Sequence, residues 1–273
     1  MILYVYSTKS KNSTLKRIKK IEEELIKIYG DITSVSYDDL SKINKDEIST
    51  LIFSGGDGFF NRIINDFVLY LDKITFGFIP LGTANDISHN HGIKNVKESL
   101  DVIKCGKVEE ETILKINDKY LIYALSVGEM SKVSIGTSRN KKRRYGKLIY
   151  KIRGIRYLFA KKKEIIINGK KEKLKVLIAL KSKYLGGVKI ANNYDDYLHL
   201  YKIRNIFDII SLFIFGRFHK KELERFVSIE IESNSIWCID GEELDTTKGI
   251  LEYSNNKIKL LSKNTWQQYP KVI

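Results

Sequence analysis

Apolar and polar positions repeat along this chain with two different periods. "ILYVYS" (2–7) reads as a buried strand. In "STLKRIKKIEEELIKIYG" the apolar residues Leu15, Ile18, Ile21, Leu25 and Ile28 fall at helical spacing. Ser13 or Thr14 supplies an N-cap there, and Gly30 a terminating glycine. "STLIFS" (49–54) predicts a second strand. Phe60, Ile63, Ile64, Phe67, Val68 and Leu71 then share one stripe, which predicts a helix through 71. "ITFGFIP" (74–80) predicts a third strand, and "VKESLDVIKCG" (96–106) a helix closing on Gly106. Strand alternating with helix implies a parallel sheet with helices on its faces.

After about residue 106 the period shortens. "TILKIND" with "KYLIYALSV" predicts a hairpin turning at Asn117-Asp118, and "KEIIINGKKEKLKVLIAL" another at Asn168-Gly169. "YLHLYKI", "FVSIEIES", "SIWCIDG" and "KIKLLS" add short strands, interrupted by helical candidates at 145–160 and 205–215. The fold class expected is an α/β N-terminal domain with a parallel sheet, 1–106, followed by a mostly antiparallel β-sandwich, 107–273. The extreme C-terminus is expected to return to the first domain.

Composition narrows the setting. The 273 residues are 43% hydrophobic, which supports a core. No run of 18 apolar residues exists, and the start lacks the pattern of a signal peptide, so a cytoplasmic protein is expected. Cys105 and Cys238 form no CxxC, which fits a reducing compartment and gives no zinc framework. His89 and His91 read as ordinary loop histidines, Trp237 and Trp266 as packing residues, and "KVEEETI" as a solvated run.

The net charge of +15 asks for an anionic partner. Nucleic acid, an anionic membrane surface and a polyphosphate ligand are the candidates. Residues 139–163 hold twelve Lys or Arg and no acid. A solvated helix face is the plain reading of that run; a surface facing phosphate is the functional one. No nucleic-acid motif occurs, and the tyrosines are dispersed.

The chemistry concentrates in "LIFSGGDGFFNRIIND" (51–66). Gly55, Gly56 and Gly58 occupy a strand-to-helix turn, where glycine permits positive φ and lets backbone N–H groups converge on an anion. The helix N-terminus beyond adds the positive end of its dipole. Asp57 would repel a bare phosphate, but suits Mg²⁺ or its water shell. The alternative is a merely tight turn. Neither the dinucleotide fingerprint nor a P-loop is present, since position 61 is Asn and no Gly-Lys-Ser/Thr follows. "IPLGTANDISHN" (79–90) leaves the next strand, so in a parallel sheet both loops open on the ligand-binding edge. It carries Thr83 as a donor and Asp86 as a second acid.

"SGGDG" followed by "PLGTAND", with Asp57 and Asp86 29 residues apart, resembles the diacylglycerol kinase catalytic family, which includes bacterial soluble lipid kinases and sphingosine and ceramide kinases. "YLGGVKIA" (184–191), "DDYLHL" (195–200) and "IDGEEL" (239–244) extend the resemblance thinly over the chain. It implies an NAD kinase/diacylglycerol kinase-like fold and ATP- and Mg²⁺-dependent phosphorylation of a lipid hydroxyl such as that of diacylglycerol. It implies that Gly55, Gly56, Asp57, Gly58 and Asn61 contact phosphates and metal, with Thr83 and Asp86 in the same cleft. Thr8, Lys9, Ser10 and Lys11 would approach the nucleotide. Glu242 matches the proton acceptor, with Asp57 as the alternative base. Asp195, or Asp196 beside it, and the carbonyl of Tyr197 match a structural Mg²⁺ site. Without the resemblance, Glu242 is equally an acid in an ordinary strand-end turn.

The chain departs from the family pattern at several points. Phe59 stands where Thr is usual and Arg62 where Glu is usual. "STKSKNS" lacks Asn-Pro and Gly, Asp195-Asp196 replaces Asp-Gly, and an acid usual near Thr112 is absent.

A lipid substrate implies an anionic membrane surface and peripheral association. Leu148, Ile152, Ile155 and Phe159 form an apolar stripe flanked by Arg144, Lys147 and Lys151, which suits such a surface. "IFDIISLFIF" (206–215) is expected in the core, or as a wall of an acyl-chain pocket. The alternatives are an inactive family member, an NAD-kinase-like small-molecule kinase and, in another class, a basic nucleic-acid-binding protein. The lipid and the oligomeric state, a homodimer included, stay open at this stage.

Overall fold

Leu3, Tyr4 and Val5 are fully buried in β1, Ile2–Tyr6, the strand from which the first sheet is built. The structure, a computed structural model, describes residues 1–8, 12–131, 160–190, 198–210 and 224–263. The chain forms two compact units: Met1–Thr112 with the segment from Asn255 onward, and Ile113–Ser254.

In the first unit β1 pairs in parallel with β2, Thr33–Ser36, and with β3, Thr50–Gly55. β3 pairs in parallel with β4, Thr75–Pro80. The end of the chain's last long strand extends the sheet, with Lys259 opposite Thr75 and Leu260 opposite Phe76.

α1, Leu15–Tyr29, starts on Thr14, whose side chain accepts from the Arg17 N–H, and ends at Gly30 with φ 81. Ile18, Ile21 and Leu25 are buried, whereas Leu15 is 70% exposed. The buried stripe therefore begins one turn later than the spacing suggested. α2 spans Asp57–Asp66 and stops at Phe67, where φ −112 and ψ 18 leave the helical region. A single 3₁₀ turn, Val68–Tyr70, follows, so the predicted helix through 71 is shorter and its end is tightened. Phe67 and Leu71 stay buried nonetheless.

α3, Asp86–Asn90, and α4, Val96–Cys105, complete the unit. Asn95 caps α4 by accepting from the Glu98 N–H, and Gly106 closes it with φ 68. One face of the sheet packs Tyr4, Ile52 and Ile79 against Ile18, Ile21 and Leu25 of α1 and Val102 and Ile103 of α4. On the other face Phe53 and Phe78 meet Phe60 of α2 edge to face and lie tilted against each other, forming an aromatic cluster. β2 had no apolar signature to announce it: all four of its residues are half-buried.

β5, Val108–Ile116, crosses from the first unit into the second. The second unit adds β6, Lys119–Leu121, β7, Ala124–Val127, β8, Lys163–Ile167, β9, Lys170–Leu174, and β10, Val176–Leu180. Then come β11, Tyr184–Leu185, β12, Val188–Lys189, β13, Leu198–Ile203, the short α5, Ile206–Ile210, and β14, Glu224–Phe226. β15, Ser228–Glu232, β16, Trp237–Ile239, β17, Glu242–Leu244, and β18, Lys248–Leu261, finish the chain's described strands.

Six strands form one antiparallel sheet in the order β14-β13-β10-β7-β16-β17. The opposing layer holds β15 between β18 and β8, with β9 beyond β8 and the β5–β6 hairpin against β18. Leu125, Leu177, Leu200 and Trp237 of the first layer share one buried core with Ile116, Ile165, Ile231 and Leu251 of the second. This is the expected sandwich.

The hairpin turns fall where the sequence placed them, with Asn117 at φ 53, Asn168 at φ 48 and Gly169 at φ 78. "KYLIYALSV" is not one strand, however. It breaks at Ile122-Tyr123, and β6 and β7 belong to different sheets. Residues 205–210 of the helical candidate at 205–215 are described; Ile206–Ile210 are helical, and Phe207 is 75% exposed, not in the core. Residues 145–159 of the candidate helix at 145–160, and the basic run up to 159, lie outside the described residues. Among the described residues, no helix is long and apolar enough to cross a membrane.

Candidate active site

Three βα turns meet at the C-terminal ends of β1, β3 and β4, because those strands are parallel neighbours. The Ser7 N–H donates to Ser54 O at 3.2 Å and the Asn12 N–H to Leu81 O at 3.2 Å. The Leu81 N–H donates to Gly55 O at 2.6 Å. Below them the Tyr4 hydroxyl and Ser54 Oγ share a buried hydrogen bond of 2.8 Å.

The glycines work by close approach rather than by unusual φ. None of Gly55, Gly56, Gly58 or Gly82 is among the positive-φ residues. A Cβ on Gly56 would lie 3.2 Å from the Gly82 Cα, and one on Gly82 would lie 2.6 Å from the Gly56 Cα. The two loops therefore touch backbone to backbone. A Cβ on Gly55 would meet the Phe59 ring at 2.3 Å. The expectation of positive φ in this turn is thus corrected. The left-handed residue of the site is Asn85, φ 56, a type that tolerates it. Its side chain closes the second loop, accepting from the Gly82 N–H at 2.9 Å.

Asp57, first residue of α2, is buried and reaches across to α3. Its Oδ1 accepts the Ile87 N–H at 3.0 Å. Burial pushes its carboxyl pKa above the ordinary value; backbone N–H groups of Ile87, Asp86, Asp57 itself and Asn85 act in the opposite direction. Asp86 is fully buried beside it, at the start of α3. Asn61 is buried one turn along α2, and its backbone carbonyl accepts from Asn65 Nδ2 at 2.9 Å. Thr83 is half-buried and Thr8 exposed.

Gly55, Gly56, Asp57, Gly58, Thr83 and Asp86 thus share one rim, with Thr8 on the neighbouring turn. Lys9, Ser10 and Lys11 lie outside the described residues, as do Asp195, Asp196 and Tyr197. Glu242 belongs to the second unit, where it is half-buried and opens β17 opposite Ile239.

Phe59, the departure from the family's Thr, is a packing residue. Its ring lies edge-on to Tyr37 at 5.2 Å and to Phe53 at 6.2 Å. "KVEEETI" is not wholly solvated either. β5 alternates exposed and half-buried residues there, and Glu111 Oε2 lies 3.1 Å from Nε2 of the buried His91.

Sequence reasoning passed over Asp240. It is buried, has φ 46, and accepts the N–H groups of Ile122, Tyr123 and Ala124. The Asp-Gly pair at 240–241 is a strong hairpin signal and marked the turn, but the partners lie more than a hundred residues away in sequence.

Residues 4–116 match the sequence pattern of the diacylglycerol kinase catalytic domain, as the resemblance in the two glycine loops implied. A diacylglycerol kinase of Staphylococcus saprophyticus is 33% identical over 109 residues, 40% of this chain and 36% of that protein. One of Staphylococcus carnosus is 31% identical over 115 residues, 42% of this chain and 38% of that protein. The alignments thus span well under half the length of these relatives. A crystal structure of a diacylglycerol kinase from Bacillus anthracis superposes with a TM-score of 0.75 at 21% identity, covering 96% of both chains. An NAD kinase from Archaeoglobus fulgidus in complex with ATP superposes at 0.56 with 14% identity, covering 96% of this chain and 94% of that one. These likenesses establish the fold expected from sequence, an α/β unit joined to an antiparallel β unit.

Proposed function

We propose that this chain is an ATP-dependent lipid kinase that phosphorylates a lipid hydroxyl such as that of diacylglycerol. The observation that carries the reading is the backbone contact of Gly56 with Gly82, with Asp57 tied to the Ile87 N–H beside it. It makes two glycine loops a single rim.

The residues present fit a nucleotide triphosphate. No Cβ stands between the two loops, and the ten-residue α2 opens at Gly56 with its positive dipole end toward the rim. For Mg²⁺ the fit depends on shared ligation. Among the described residues no group of three or more His, Cys, Asp or Glu is placed to hold a metal ion. Mg²⁺ is ordinarily held by one or two carboxylates together with phosphate oxygens and waters, and Asp57 and Asp86 supply the carboxylates. Asp195 and the carbonyl of Tyr197 are assigned to a second, structural ion on the resemblance alone.

Bound Mg²⁺–ATP supplies the phosphoryl group and neutralises its charge. The chain does the rest. Gly55, Gly56, Gly58 and Thr83 bind and orient phosphates, while Thr8 to Lys11 and Asn61 border the nucleotide. Glu242 takes the proton from the lipid hydroxyl. Asp57, the other candidate base, is buried and committed to backbone N–H groups, so it braces the rim instead. The lipid is met at an anionic membrane surface by peripheral association.

Purified protein with Mg²⁺, ATP and diacylglycerol vesicles, read by thin-layer chromatography, should yield phosphorylated lipid. Asp57→Ala and Glu242→Gln should each lower turnover by about 10²–10⁴-fold. Undiminished turnover in either variant removes that residue's role. Phosphate transfer to NAD and not to lipid would replace the reading with that of a small-molecule kinase, and salt-sensitive oligonucleotide binding without ATP binding would replace it with that of a nucleic-acid binder.

A further inference from the structure

Ile122, Tyr123 and Ala124 pose a hydrogen-bonding problem. The chain leaves the layer of β5 and β6 at Leu121 and joins the six-stranded sheet at Ala124. Ile122, Tyr123 and Ala124 are all buried, and their consecutive N–H groups point out of either ladder. Buried donors of this kind require partners. One carboxylate serves all three: Asp240 Oδ2 accepts from Ile122 at 2.6 Å, and Oδ1 from Tyr123 at 3.1 Å and Ala124 at 2.9 Å. The Asp240 N–H returns a bond to Ala124 O at 2.9 Å.

Asp240 is also the first residue of the turn that presents Glu242. It has φ 46 and Gly241 has φ 92, the paired positive values of the tightest hairpin turns. Ile239 and Glu242 face each other across that turn. Cys238, just before it, has its thiol pushed up to about 12, first by burial and further by the nearby charges of Asp240 and Glu242. A turn of two left-handed residues, pinned by four hydrogen bonds to the sheet crossing, has little freedom to swing.

We propose that Asp240 is a positioning residue for catalysis: its clasp on the 122–124 crossing fixes the hairpin and thereby the place of the Glu242 carboxylate. The proposal rests on the reading of Glu242 as the base. Asp240 itself does not meet substrate; it removes the disorder of the group that does. A displacement of roughly 1 Å at a catalytic group lowers turnover by about 10²-fold.

Four proteins test it: wild type, Asp240→Asn, Glu242→Gln and the double variant, assayed for kcat and KM with diacylglycerol vesicles and Mg²⁺–ATP. Asp240→Asn keeps the shape but sets an amide N–H against a backbone donor. It should lower kcat by about 10²-fold with KM for ATP unchanged within about twofold. In the Glu242→Gln background the same change should have almost no further effect, because the group it positions is gone. Amide hydrogen exchange at Ile122, Tyr123 and Ala124 should accelerate in Asp240→Asn. If that variant fails to fold, Gly241→Ala takes its place. A Cβ there meets nothing within 4 Å, so it disturbs the turn only through its positive φ, and it should show the same pattern of kcat loss.

An equal loss of kcat with and without Glu242 would overturn the proposal, since a merely structural residue adds its effect. Wild-type turnover in Asp240→Asn, with Glu242→Gln inactive, would overturn it alone. Wild-type turnover in Glu242→Gln would overturn the reading of Glu242 and the proposal with it.

Discussion

Asp57 is assigned a carboxylate's task at the rim and also ties α2 to the start of α3 through the Ile87 N–H. The two tasks conflict. Burial raises its folded-state pKa above the unfolded value, so the folded protein binds the proton more tightly than the unfolded chain. The stability this carboxyl contributes is therefore complete below the unfolded pKa, near 4, and is lost as pH rises through the folded value. Asp57→Asn cannot ionise and escapes that loss. The melting temperature of the variant minus that of the wild type should climb as pH is raised from about 4. A difference that stays flat across that range would mean the carboxyl is not perturbed by its burial. Asp57 itself was legible in the sequence as the acid among three glycines. Its bond to Ile87, 30 residues on, was not, because it exists only once β3 and β4 lie side by side.

At the scale of elements, the site is two turns held at contact distance by adjacent parallel strands. Gly82 is where the two loops meet most closely: an added methyl would meet both the Gly56 Cα and Asn85 Oδ1 at 2.6 Å. Neither neighbour is the tip of a long flexible side chain. Gly82→Ala should therefore part the loops, destabilise the protein by about 1–3 kcal/mol in urea melts and weaken binding of a fluorescent ATP analogue. Unchanged melts and unchanged nucleotide binding would show that the loops have slack the structure does not display. The elements that frame this contact were readable. Apolar runs marked β1, β3 and β4, and Thr14, Gly30 and Gly106 marked helix ends by their own backbone chemistry. The end of α2 was not readable, because the apolar stripe continues through Leu71 although the backbone turns 3₁₀ after Phe67. Periodicity reports which side faces the core, not which hydrogen-bond ladder the backbone keeps. β2 and the break between β6 and β7 escaped for related reasons: one has no buried face, and the other is decided by a carboxylate far along the chain.

The whole molecule carries +15, with 48 basic residues against 33 acidic ones. Ion pairing leaves that excess unchanged, since each pair takes one acid with one base. Lys27–Glu24, Lys42–Asp39 and Lys171–Glu164 are all largely exposed and add little to stability. Exposed cations near an anionic bilayer contribute about 1 kcal/mol each, within a Debye length of about 10 Å at 0.1 M salt and about 3 Å at 1 M. The two compact units were only partly legible. A change of texture near 106 and a return of the extreme C-terminus are both readable in the sequence, but a return that begins at Asn255 is not, because it depends on β18 pairing with β4, two segments with no local sign of each other. The charge needs no such pairing to be read, and it leads to a prediction on its own terms. If the substrate is a membrane lipid, diacylglycerol should be phosphorylated faster in vesicles rich in anionic lipid than in neutral vesicles carrying the same amount. Raising salt from roughly 0.1 M to 1 M should erase that difference and release the protein from sedimented vesicles. Binding insensitive to both salt and lipid charge would mean that the cationic excess serves something other than the bilayer, and that the substrate is reached by apolar contact alone.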